Sequence, residues 1–182
     1  MAFTEFSTFD IFCPMSLKLG VLATLLGGLV IFVWGAASHM LLPEPITALS
    51  DPKVVDQFLS QQAPKNAAYM DPRGVLVIVG LLPDRSDKSQ QMGPMLGIEF
   101  ATNLMQAFLL TLVLLRLKPM TGIGYGAVSA LIGVMAWVSI EVSYWTWYSF
   151  PVSLLTMGFL DASIGFFLAG MVIGWQIRRQ SH

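Results

Sequence analysis

Four long apolar runs, separated by polar or aromatic breaks, set the pattern of this chain. The first, Leu19 to Leu42, carries no Asp, Glu, Lys or Arg across its 24 positions. At ~1.5 Å rise per residue it reaches about 36 Å, more than the hydrocarbon core of about 30 Å. Lys18 before it and Ala36-Ala37-Ser38 within it fit a secretory signal, but the run exceeds the roughly 7–15 apolar residues of such signals. It therefore reads as a retained membrane helix. The second run, Leu96 to Leu115, contains Glu99, Asn103 and Gln106; the third covers Ile123 to Val142 and the fourth Val152 to Ile177. The pattern thus predicts membrane helices at 19–42, 96–115, 123–142 and 152–177. The uncharged aromatic stretch Ser143-Tyr144-Trp145-Thr146-Trp147-Tyr148 reads as the hairpin joining the last two.

Between the first two helices, residues 43–95 form the one sizeable polar segment. Ser50 or Asp51 is suited to cap a short helix with Pro52 in its first turn, and Val54, Val55, Phe58 and Leu59 give that helix an apolar stripe. Pro64, Pro72 and Gly74 punctuate the next stretch, and the run Gly74 to Gly80 reads as a strand, or as an extended segment buried against the membrane domain. Arg85 to Gln91 reads as a solvated loop before Gly93-Pro94 opens the second span. About fifty residues without a disulfide make a marginal independent core, so this segment is expected to cap the helix bundle, with the whole chain forming one membrane domain. In the N-terminal piece, residues 1–18, the spacing of Phe3, Phe6, Phe9, Ile11 and Phe12 fits an interfacial turn better than a free tail.

Composition agrees with this class: 55% hydrophobic and 12% charged residues, where soluble domains carry about 25% charge. Ten Lys+Arg against eleven Asp+Glu, with no basic tail, leave no electrostatic footprint for nucleic acid. Cys13 is the single cysteine, which excludes an intramolecular disulfide and cysteine-built metal sites within one chain. Lys18, Arg116, Lys118, Arg178 and Arg179 fall in the short segments 1–18, 116–122 and 178–182, whose basic density is about twice that of the opposite segments, so these faces and both termini are expected in the cytoplasm. That makes 43–95 periplasmic if the membrane is a bacterial inner membrane. Trp34, Trp137, Trp145, Trp147, Tyr148 and Trp175 lie towards span ends, the headgroup level that amphipathic rings prefer.

Two sets of residues could carry function. Gly122, Gly126, Ala130 and Gly133 on the third helix, and Gly158, Ala162, Gly165 and Ala169 on the fourth, repeat at small-xxx-small spacing. Such faces let membrane helices approach closely, within one chain or between subunits. The polar residues His39, Glu99, Asn103, Glu141 and Asp161 all fall in the outer half of the predicted bundle and form a candidate pocket. Ionisable groups inside a membrane are costly and functional by default. One reading makes His39, Glu99, Glu141 and Asp161 a metal or proton site, since imidazole with carboxylates suits Fe, Mn or Zn. A second makes Glu99 a helix N-terminal anion and Glu141 a snorkelling side chain, with Asp161 protonated or hydrogen-bonded to Asn103 or Tyr144. A third gives one of these groups to a bound lipid, quinone or pigment.

Several activities lack their residues. Bis-histidine haem needs two intramembrane histidines, yet only His39 and His182 exist. A retinal Schiff base needs a lysine within a span, and none is there. No Ser/His/Asp set or phosphate-binding glycine loop is evident, and no cofactor is assigned.

The stretches Trp34 to Pro43, Ala63-Pro64 to Tyr69 and Gly93-Pro94-Met95 resemble a family of small four-helix bacterial inner-membrane proteins with no assigned activity. That resemblance implies four helices with one extracytoplasmic loop after the first. The expected fold is an all-α, four-helix membrane protein. The expected function is a non-catalytic auxiliary subunit of a larger respiratory or photosynthetic type of membrane complex, with lipid and other subunits or a second copy as partners. The alternatives are a binding or transport protein for a small solute, proton, metal or lipid centred on Asp161, and a membrane enzyme with a metal at the same cluster.

Overall fold

The computed structural model describes residues 17–42, 51–61, 65, 67–70, 73–80 and 88–179. The expected interfacial turn at Phe3 to Phe12, the turns at Pro64 and Pro72, and the end of the C-terminal tail lie outside these residues. The elements in chain order are α1 (Leu17–Leu41), α2 (Pro52–Gln61), β1 (Ala67–Met70), β2 (Leu76–Val79), α3 (Lys88–Leu114), α4 (Gly122–Trp137), a π-helical turn (Val138–Val142), α5 (Ser143–Tyr148) and α6 (Val152–Arg178). Four helical stretches are long and apolar enough to cross a membrane: Leu17–Leu41, Met92–Leu114, Gly122–Tyr148 and Val152–Arg178. The chain is an all-α, multi-pass type of membrane protein with a small two-stranded insertion.

Two boundaries differ from the sequence reading. Helix α3 starts at Lys88, eight residues before the expected Leu96, so Lys88 to Gln91 is helical and Pro94 sits inside the helix. Hydropathy marks where the bilayer starts, whereas Lys and Gln are good helix formers in water, so the helix runs past the apolar boundary. The aromatic stretch Ser143 to Tyr148 is likewise no hairpin. It is helical, and with the π turn it carries the third span on to Tyr148. The chain reverses only at Ser149, whose φ of 54° is left-handed, and Pro151, whose carbonyl accepts from Leu154 N at 3.0 Å.

In the loop, Asp51 caps α2 by accepting from Lys53 N at 2.9 Å. Val54 is exposed, while Phe58 and Leu59 are half-buried. The expected strand is β2, and it pairs antiparallel with β1 in the register Ala67↔Val79 to Met70↔Leu76. Its partner strand is not evident from the sequence pattern, because Ala67-Ala68-Tyr69-Met70 carries little strand propensity. Gly74, at φ 88°, takes the turn between the strands, where a Cβ is disfavoured. The strands pack chiefly on each other.

The spanning helices pack in series. The most extensive contact joins α4 to α6; α6 packs next on α1, and α1 on α3, with a smaller α3–α6 contact. Among the described residues no substantial contact links α3 with α4. Ala23, Ile31, Ala107, Leu110, Leu114, Tyr125, Ala169 and Ile173 form the core. Small residues set its spacing: a Cβ on Gly28 would lie 2.7 Å from Leu104 Cδ2, and one on Gly27 would lie 2.8 Å from Ile173 Cδ1. Tyr125, 1% exposed, fills the space left by Gly174, and Ser129 that left by Gly170.

Candidate functional site

The polar centre of the bundle lies on the α1–α6 seam. Trp34 and Ser38 are four residues apart on α1, and Asp161 and Gly165 are four apart on α6, so each pair shares a helix face. Antiparallel packing sets Ser38 against Asp161 and Trp34 against Gly165. Ser38 Oγ hydrogen-bonds Asp161 Oδ1 and also lies 2.9 Å from the carbonyl oxygen of Gly35. A hydroxyl has one proton, so it serves one of these acceptors at a time. His39 Nε2 stands 3.9 Å from Asp161 Oδ2.

Burial grades sharply across this group. Ser38 is 1% exposed, whereas the side chains of Asp161 and His39 are 30% and 71% exposed. The carboxylate therefore has one oxygen bonded inside the seam and the other towards the imidazole at its mouth. One turn deeper, the absence of a side chain on Gly165 makes room for the Trp34 ring, since a Cβ there would stand 3.0 Å from Trp34 Cδ1. The buried indole Nε1 of Trp34 has no hydrogen-bond partner among the described residues. An unpaired buried donor costs about 1–3 kcal/mol, and this is the one such side-chain atom among those residues.

The other expected pocket residues are spread out. Glu141 lies in the π turn, half-buried, and its Cγ is 3.2 Å from where a Gly158 Cβ would stand. Gly158 is one turn before Asp161 on α6, so Glu141 reaches the neighbourhood of the seam from the α4 side. The π turn itself is of a kind frequent at functional sites. Trp137 closes this side, donating from Nε1 to the carbonyl oxygen of Leu155 at 2.8 Å and stacking edge-on against Phe159. Tyr144 clusters with Tyr148 and Phe150.

Asn103 is not part of this group. The contacts Phe32 with Phe100 and Gly28 with Leu104 fix the α1–α3 register and put Asn103, buried at 4% exposure, near the level of Leu29. That is about 14 Å along the axis from Ser38 at ~1.5 Å per residue. Glu99 lies one turn above Asn103 and is exposed. The structure thus joins His39 and Asp161, adds Ser38 and Trp34, brings Glu141 close to α6, and leaves Asn103 and Glu99 on α3. Among the described residues no three His, Cys, Asp or Glu side chains are grouped to hold a metal ion.

Most of the small-residue positions serve contacts inside the chain. A Cβ on Gly126 would meet Met171 and Phe167, one on Gly133 would meet the Ala162 carbonyl, and Gly165 takes Trp34. Ala169 is fully buried and Ala130 and Ala162 are half-buried. Gly122 has no described residue within 4 Å of its Cβ position. Sequence spacing did not reveal Gly27, Gly28, Gly170 and Gly174; the adjacent pair Gly27-Gly28 at the middle of an uncharged span was the available signal.

No protein-family model, curated protein or solved structure matches the chain. The class defined here is that of the fold: an all-α membrane protein of four spanning helices with a part-buried Ser–Asp contact at one seam.

Proposed function

We propose that the chain is a non-catalytic subunit that packs against other polypeptides in a larger integral membrane complex. The observation supporting this is the start of the second span, where every residue from Met92 to Glu99 is exposed. Glu99 lies about 10 Å inside that span at ~1.5 Å per residue, a depth at which a carboxylate is costly without a partner. The two Cβ positions at Gly93 and Gly97 have no described residue within 4 Å, so this end of α3 presents a small, open surface to a neighbour, whereas Gly126, Gly133 and Gly165 are used internally.

On this reading the end bearing Lys18, Arg116, Lys118, Arg178 and Arg179 faces the cytoplasm of a bacterial cell, as lysine and arginine bias favours. The segment holding α2 and the β1–β2 hairpin then lies on the periplasmic side as a cap. The test is purification in mild detergent with native mass spectrometry of the wild type, Gly97→Leu and Glu99→Gln. The expected result is a complex with other polypeptides that both variants weaken while the chain keeps its helical content.

A second reading has its own observation. The Ser38–Asp161–His39 group joins a buried hydroxyl, a half-buried carboxylate and an exposed imidazole, an arrangement suited to binding or passing a proton or a small cationic solute. Loss of flux in vesicles on Asp161→Asn, with unfolding unchanged, would support it.

A further inference from the structure

Charge is segregated along the helices. Lys18 at the start of α1, Arg116 and Lys118 between α3 and α4, and Arg178 and Arg179 at the end of α6 fall at one end of the bundle, and all five are exposed. The described residues at that end, 17–24, 110–128 and 170–179, include no Asp or Glu. The acidic residues of the spanning helices, Glu99, Glu141 and Asp161, all belong to the opposite half. Arg179 is further held in place: its guanidinium lies 3.9 Å from the centroid of the Trp175 ring, and Trp175 is itself 47% exposed, as expected of an indole at the headgroup level.

We propose that this end binds the headgroups of anionic phospholipids. Cations at the ends of apolar helices stand where lipid phosphates lie, and basic clusters beside membrane helices recognise anionic headgroups. The exposed ammonium groups of Lys18 and Lys118 supply point charges. The guanidinium of Arg179, fixed over Trp175, offers paired N–H donors to a phosphate. No carboxylate among the described residues at this end competes with an external anion for Lys18, Lys118 and Arg179. A lipid fits better than a protein partner because the cations are distributed over three separate helix ends at one level, which matches a headgroup layer.

The test uses the full chain in nanodiscs made from equal amounts of phosphatidylglycerol and phosphatidylcholine, released into a native mass spectrometer. Bound lipid should be mainly phosphatidylglycerol, and Lys118→Gln or Arg179→Gln should each lower that preference about fivefold. Unfolding of Lys118→Gln in pure phosphatidylcholine should be unchanged, as that side chain is exposed. For the wild type, raising the salt before release should also reduce the preference through screening, a readout that needs no variant. Equal retention of the two lipids would overturn the proposal, as would a preference that neither variant nor salt alters. Displacement of the lipid by inorganic phosphate at matched ionic strength would instead make this a free-anion site, and would equally contradict it.

Discussion

Ser38 and Asp161, separated by 123 positions in sequence, are hydrogen-bonded across the α1–α6 seam. The contact ties the first span to the last and puts an ionisable group at a helix–helix boundary. Its structural and functional roles can be separated. A hydrogen bond between membrane helices contributes about 0.6 kcal/mol on average and up to about 1.7 kcal/mol. Ser38→Ala should therefore lower stability by about 1 kcal/mol, measured by unfolding in detergent micelles. Asp161→Asn retains an acceptor for Ser38 and should leave stability nearly unchanged while removing the ionisable group. A loss of several kcal/mol in Asp161→Asn would show that the carboxylate chiefly supports the fold.

The glycines of the third span should divide by what faces them. A Cβ on Gly133 would run into the backbone carbonyl of Ala162, which cannot swing aside as a side chain can. Gly133→Ala is expected to cost about 1–3 kcal/mol through overpacking of α4 on α6. Gly122 meets no described residue within 4 Å, so Gly122→Ala should be neutral, or stabilising by less than about 1 kcal/mol through helix propensity. Thermal unfolding of the two variants side by side checks the contrast.

The π turn brings Glu141 against α6. In a background lacking Cys13, the pair Glu141→Cys and Gly158→Cys should form a disulfide on mild oxidation, because the two positions are in contact. A pair that stays reduced under those conditions would contradict the packing of the π turn on α6.

The four spans were legible because an uncharged apolar run long enough to cross a bilayer is rarely anything but a membrane helix. Their ends were not, since Lys88 to Gln91 is polar yet helical and the Tyr/Trp stretch after Glu141 contains no helix breaker before the left-handed Ser149. The site was half legible. Asp161 stands out as a carboxylate within an apolar run, and His39 as the end of another. Ser38 and Trp34 carry no such mark; they acquire a role only through the antiparallel register of α1 and α6, which depends on the glycines of both helices. Asn103 sits in a similar outer position by residue count, but register with α1 moves it a few turns from Asp161.

The uncovered start of α3 is where the subunit reading is decided, so the most direct measurement is native mass spectrometry of the protein purified from its own membranes in mild detergent, with Gly97→Leu alongside. The Cβ position of Gly97 has no described residue within 4 Å, so the substitution is expected to act chiefly on what packs there. The expected result is a stable complex with other polypeptides in the wild type that Gly97→Leu dissociates. A wild-type chain that runs alone, or a complex indifferent to Gly97→Leu, would contradict the proposal.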